Sequence, residues 1–236
     1  MPDNVSPHAF APGLLIRGFA PPLQLSSFKA IAFDMDSTLI NIECIDEIAD
    51  AVGKKAEVAA ITEAAMRGEI TDFKDSLRRR VALLQGVPAE ALQHVYDSRL
   101  KLNPGATELV AAARSAGLHT LLVSGGFTFF ADRVRERLGM HEAHANTLEI
   151  EGGLLTGRVL GDIVDGEAKK QHLLALCMRL GCDPRHSIAV GDGANDLPMM
   201  GVAGLSVAFH AKPKVREQAM VAISEGGLDR LLDVLA

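Results

Sequence analysis

The sequence predicts an α/β fold in which an open parallel sheet carries a helical insertion after its first strand. Three observations predict it. Apolar runs at 29–33, 118–123 and 187–190 each stop at a polar cluster, a pattern of buried strands rather than helices. The stretches that follow 103 alternate between strand and helix periodicity, as parallel βαβ units with right-handed crossovers do. Residues 41–102 keep helical spacing throughout.

Residues 1–27 read as an N-terminal extension with scattered apolar content, in which 13–17 add a short edge strand. The first buried strand then runs into Asp34, Asp36, Ser37 and Thr38. Strand side chains alternate between faces, which puts Asp34 and Asp36 on one side, about 6.6 Å apart along the chain. Carboxylates so placed repel unless a cation, a proton or a phosphoryl group lies between them. A magnesium site with a carboxylate nucleophile fits, because Mg²⁺ takes about six oxygen ligands and needs few from the protein. Taken alone, the same residues fit a polar strand exit leading into a helix cap.

Ile42, Ile45, Ile48, Ala49 and Val52 predict the first insertion helix, stopped by Gly53; Val58, Ile61, Ala65 and Met66 predict a second, to Gly68. A third runs from Phe73 through Leu77, Val81 and Leu84 to Gly86, and a fourth starts at Pro88. Asn103-Pro104-Gly105 marks the return to the main domain, here 28–40 with 103–236. The strand at 118–123 stops at Ser124-Gly125-Gly126 and a helix follows. Segments 146–151 and 154–159 flank Gly152-Gly153, a hairpin signal. A helix carrying Lys169 leads to the strand at 187–190, which enters Gly191-Asp192-Gly193-Ala194-Asn195-Asp196. A last buried strand at 205–209 precedes His210-Ala211-Lys212-Pro213 and a C-terminal helical region. His141-Glu142-Ala143-His144 is one residue short of a zincin spacing and reads as surface near a helix end.

With 24 basic against 30 acidic residues the net charge is −6, which argues against nucleic acid as a partner, and the absence of Trp argues against base-stacking platforms. No apolar run spans a bilayer, and the N-terminus lacks the basic and apolar regions of a secretory signal. Cys44, Cys177 and Cys182 form no CxxC pair; they favour a reducing compartment, hence the cytoplasm, and read as small buried hydrophobes.

In an open parallel sheet all strand C-termini share one edge, so the three polar clusters would share one crevice. Asp34-x-Asp36-x-Thr38, Ser124-Gly125, a Lys before the fourth strand and Gly191-Asp192-Gly193-x-Asn195-Asp196, in this order, resemble the four motifs of the haloacid dehalogenase superfamily of phosphatases. The insertion resembles that superfamily's first type of cap. Phe73-x-x-Ser76-Leu77-x-x-Arg80, Gly-Asp-Gly-Ala-Asn-Asp and His210-Ala211-Lys212-Pro213 resemble its phosphoserine phosphatase family, and the similarity covers 29–225.

The resemblance implies a Rossmann-like core, a helical cap at 41–102, and Mg²⁺-dependent hydrolysis of O-phospho-L-serine. It implies Asp34 as nucleophile and Asp36 as general acid, then base, with Asp34, the Asp36 carbonyl and Asp192 on the metal. Ser124, the Gly125 amide, Lys169 and Asn195 would hold the phosphoryl group, with Asp196 orienting its neighbours and Gly193 allowing a tight turn. Lys170 is the adjacent alternative to Lys169. Glu43 and Arg80 would bind the substrate's amino and carboxylate groups, with Met66 and Phe73 lining the pocket. A helix-dipole role for Glu43 and solvation of Arg80 stand beside these assignments. Other readings are a superfamily phosphatase for another small phosphomonoester or a phosphoprotein, and a non-enzymatic metabolite-binding protein of the same fold. The N-terminal segment leaves no room for a separate regulatory domain, and monomer and homodimer both stay open.

Overall fold

The computed structural model describes residues 7–67 and 69–236; Gly68 and the side chain of Met66 lie outside them. Among these residues nine strands form one sheet: β1 (His8–Ala11), β2 (Leu14–Ile16), β3 (Ala30–Phe33), β4 (His119–Phe127), β5 (Glu142–Glu151), β6 (Leu154–Leu160), β7 (Ser187–Gly191), β8 (Leu205–Phe209) and β9 (Val221–Ile223). Their order is β1-β2-β9-β8-β7-β3-β4-β5-β6. From β9 to β5 the neighbours run parallel, while β1, β2 and β6 pair antiparallel. The chain leaves β3 to build β4 and β5 on one side, then β7, β8 and β9 on the other. The strand order therefore reverses at β3, and the crevice beyond its C-terminal end is where such sheets bind ligands.

The helices are α1 (Cys44–Ala51), α2 (Lys55–Met66), α3 (Phe73–Ala82), α4 (Glu90–Ser98), α5 (Ala106–Ser115), α6 (Thr128–Leu138), α7 (Gly166–Arg179), α8 (Leu197–Met200) and α9 (Pro213–Gln218). Strand alternation divides the core into two layers. Ile31 and Phe33 of β3 pack with Leu109 of α5, Phe130 of α6 and the larger of two apolar clusters. Ala30 and Ala32 face Leu173 and Leu176 of α7 with Met199 of α8. Alanines on that face let α7 lie close to the sheet.

Helices α1 to α4 follow β3 and share the larger cluster through Ile45, Ile48, Leu77, Val81, Leu92 and Val95. At one end Asn103 holds this segment: its amide donates to the Leu39 carbonyl (2.9 Å) and its Nδ2 to the carbonyls of Thr38 (2.9 Å) and Ile40 (3.0 Å). At the other end the β5–β6 turn is stitched to it, with Gly86 N donating to Leu155 O (2.8 Å), Leu155 N to Val87 O (2.8 Å) and Ala89 N to Gly153 O (2.9 Å).

Several boundaries differ from the sequence expectation. Strand β3 ends at Phe33, so Asp36 does not reach the site by strand alternation. Strand β4 continues through Ser124 to Phe127, which pairs with Asn146. His141 lies three residues past the end of α6, and Glu142–His144 open β5, because the apolar stretch 121–123 of β4 offers a ladder that pairs Val123 with His144. The 205–209 strand is not the last; β9 is three residues long, too short for a period of two to declare itself, and inserts between β8 and β2. The edge strand is β1, with β2 paired to β9 inside it. Pro88 bridges to Leu154, and helix α4 starts only at Glu90.

Candidate active site

Asp34 extends the β3 ladder by one bond, its N–H donating to Val190 O (3.0 Å). The chain then turns within Met35–Leu39, closed by Ile40 N donating to Met35 O (3.1 Å). Ser37 takes φ 56° in that turn, a left-handed conformation that costs a non-glycine residue about 1–2 kcal/mol. Its hydroxyl donates to Glu43 Oε1 at 2.7 Å. The turn, not the pleat, brings Asp34 and Asp36 to one cavity.

Lys169 reaches from α7 to this point and is fully buried, its Nζ 2.8 Å from Asp34 Oδ1 and 2.7 Å from Asp196 Oδ1. Burial alone would depress its pKa, but Asp196 and Asp34 outweigh it and the ammonium is held charged. The adjacent Lys170 instead pairs with Glu167 at the surface. Asp196 is saturated, since its Oδ2 also accepts the amides of Asp192 (3.2 Å) and Gly193 (3.0 Å). Asp192 has weaker support, a hydrogen bond from Thr38 Oγ1 at 3.3 Å. One buried ammonium thus faces a surplus of acids. Burial and Asp196 push Asp34 well up; burial and Glu43 push Asp36 up to about 7; burial and Asp196 push Asp192 up to about 7.

That surplus is the local argument for a cation. Among the described residues, Asp34, Asp192 and Asp196 form the one set of three His, Cys, Asp or Glu side chains whose ligand atoms converge, within 4.8 Å of one another. The donors are all carboxylate oxygens, which suit a hard divalent ion. With Asp196 committed to Lys169 and two amides, Asp34 and Asp192 are the members left to bind one.

Ser124 is buried at the β4 end, and its Oγ accepts the Gly126 amide at 2.9 Å. Asn146, also buried, donates from Nδ2 to Gly125 O (2.8 Å) and accepts the Val164 amide on Oδ1 (2.8 Å), clamping this loop to the approach to α7. A Cβ on Gly125 would stand 2.9 Å from Phe73 Cζ, so the α3 aromatic lies directly against the loop. One on Gly193 would stand 2.2 Å from Asn195 Oδ1, which explains glycine in that turn.

The cavity, about 500 Å³, is lined by Asp34, Asp36, Ser124, Gly125, Asp192, Gly193 and Asn195 from the sheet edge and by Glu43, Phe73 and Arg80 from the helical segment. Lys169 and Asp196 lie behind its wall. Burial depresses the Arg80 guanidinium, opposed by Asp46, Glu43 and Asp36. Sequence reasoning gave no site role to four neighbours, although Thr38 stood in the first motif. Thr38 supports Asp192, and Asn146 clamps the Ser124 loop. Asp46 lines the cavity with a buried Oδ1 that has no hydrogen-bond partner among the described residues. Cys44 donates to Asp36 from both N and Sγ. Asp46, three residues beyond Glu43, was findable from helical spacing; a thiol and a strand asparagine carry no comparable signal.

A family model for haloacid dehalogenase-like hydrolases matches residues 31–201. A phosphoserine phosphatase from Polaromonas sp. is 65% identical over 98% of this chain and all of its own length. One from Haemophilus influenzae is 50% identical over 92% of this chain and 68% of its own. A solved phospho-aspartyl intermediate analogue of phosphoserine phosphatase superposes with a TM-score of 0.82 at 39% identity, covering 89% of this chain and 99% of that one. No helix of the described residues is long and apolar enough to cross a membrane. By motif order, fold and these similarities, the chain belongs to the haloacid dehalogenase-like hydrolases, among relatives that are phosphoserine phosphatases.

Proposed function

We propose that this chain is a phosphoserine phosphatase, hydrolysing O-phospho-L-serine to serine and phosphate with Mg²⁺ held by Asp34, the Asp36 carbonyl and Asp192. One observation carries the reading: acids at the sheet edge and the Glu43–Arg80 pair of the helical segment line the same cavity. When bound, the cation neutralises charge on the phosphoryl oxygens. Residues 41–102 act as the cap, and the free thiols fit a cytoplasmic protein.

In the first step a carboxylate oxygen of Asp34 attacks phosphorus, the bond to the serine oxygen breaks, and Asp36 gives that oxygen its proton. A protonated Asp36 near neutrality suits this task. In the second step Asp36 takes a proton from water, whose oxygen attacks phosphorus and displaces Asp34, releasing inorganic phosphate. Ser124, the Gly125 amide and Asn195 stabilise the phosphoryl oxygens, the main source of catalysis in such transfers, and Lys169, behind the cavity wall, balances charge through Asp34. Arg80 suits a carboxylate because its planar fork donates twice, and Glu43 suits an ammonium.

Phosphate release from phosphoserine, phosphoethanolamine and glycerol phosphate, with and without a chelator, tests the reading. Phosphoserine should be strongly preferred and chelation should abolish turnover. Equal rates for all three esters would reject the substrate assignment, and full activity after metal removal would reject the cofactor.

A further inference from the structure

We infer that Cys44 is a positioning residue for Asp36; the inference rests on the general-acid reading of Asp36 given above. Both oxygens of the Asp36 carboxyl are engaged by this one residue: Oδ2 accepts the Cys44 amide at 3.1 Å and Oδ1 accepts the thiol at 3.1 Å. Cys44 is the first residue of α1 and fully buried. The residue before it, Glu43, does not cap the helix with its side chain, which is turned toward Ser37. Asp36 meets the free N–H in its place, so the acid of the reaction is also the cap of the first insertion helix.

The two contacts do different work. The amide only donates, and a single donor leaves the carboxyl free to rotate about its Cβ–Cγ bond. The thiol fixes the second oxygen and therefore the carboxyl plane. The thiol can donate to Oδ1 whether Asp36 is a carboxylate or a carboxylic acid, which leaves Oδ2 to carry the proton toward the substrate. It can thus hold Asp36 in both protonation states through which an acid-then-base must pass. A role in packing alone would call for an apolar side chain of this volume and would gain nothing from a hydroxyl.

The test compares leaving groups. Under single-turnover conditions with Mg²⁺ and enzyme in excess, rapid quenching measures serine release from phosphoserine and acetate release from acetyl phosphate. Acetate departs without a proton, so only serine release needs a correctly aimed acid. Cys44→Ala should slow serine release about 3- to 10-fold more than acetate release, the scale of one lost ordinary hydrogen bond. Cys44→Ser should restore the serine rate to within about twofold of wild type, since its hydroxyl has the same donor and acceptor capacity. Equal slowing of both substrates, or a Ser variant as slow as the Ala variant, overturns the inference. Serine release by Asp36→Asn at the wild-type rate would overturn the acid reading beneath it as well.

Discussion

Replacing Lys169 by Met keeps a long side chain and removes one charge from the most buried part of the site. Its Nζ lies 2.8 Å and 2.7 Å from two carboxylates, with side-chain exposures of 0% for Lys169, 6% for Asp34 and 0% for Asp196. Removing one partner of such a pair costs about 3–5 kcal/mol, because the remaining charges lose their compensation. The cost depends on pH. Without the ammonium, which now lowers it, the folded-state pKa of Asp34 rises further above the ordinary value of 3.8. A group whose pKa is raised by folding carries no penalty below its unfolded pKa and accumulates one as pH rises toward the folded value. The stability gap between wild type and variant therefore widens from pH 5 to pH 8. For a chain of this length about 1 kcal/mol moves Tm by about 2–4 °C, so the gap at pH 8 should reach about 6–20 °C. Circular dichroism melts in EDTA at both pH values measure it. A gap of the same size at both, or no gap at pH 8, would refute the claim that Lys169 compensates these buried acids.

Arg80→Ala should raise KM for phosphoserine about 10- to 100-fold while changing that for phosphoethanolamine little, because only phosphoserine brings a carboxylate to the guanidinium; equal losses would count against the assignment. Mg²⁺ affinity should rise between pH 6 and pH 8, with protons released on binding, since without a cation Asp192 is pushed up to about 7 and its proton must be displaced. Calorimetry in buffers of different ionisation enthalpy reads that release, and pH-independent affinity would contradict it. Asn146→Ala leaves Gly125 O and Val164 N without their partner and should cost about 2–5 kcal/mol while weakening inhibition by inorganic phosphate. An unchanged Tm and an unchanged inhibition constant would show that the clamp does not matter.

The parallel core was legible because buried strands announce themselves as apolar runs, and because those at 29–33, 118–123 and 187–190 end in residues that cannot be core. Glycine doublets likewise exposed the hairpin at 152–153. Less legible were features that tertiary pairing creates. Strand β9 is defined by its pairing with β8 and β2, and β5 starts early because β4 offers it a ladder. In the site, the sequence pointed to Asp34 and Asp36 through the wrong geometry, by alternation along a strand. The observed turn depends on a left-handed Ser37, which local propensity disfavours. Lys169 and Lys170 are equivalent in composition, and only the approach of α7 to the alanine face of β3 buries one and exposes the other. The gap at Cys44 has a similar origin: a thiol reads as a small hydrophobe until a carboxyl is found beside it.

The central claim is that the Asp34 carboxylate takes the phosphoryl group. Wild type and Asp34→Asn, mixed with phosphoserine and Mg²⁺ and quenched in acid, are compared by intact mass and peptide mapping, with steady-state phosphate release measured alongside. The account predicts a phosphoryl adduct on the peptide containing Asp34 in wild type, none in the variant, and a loss of turnover of at least about a thousandfold. An Asp34→Asn chain that folds and releases phosphate at the wild-type rate would contradict it.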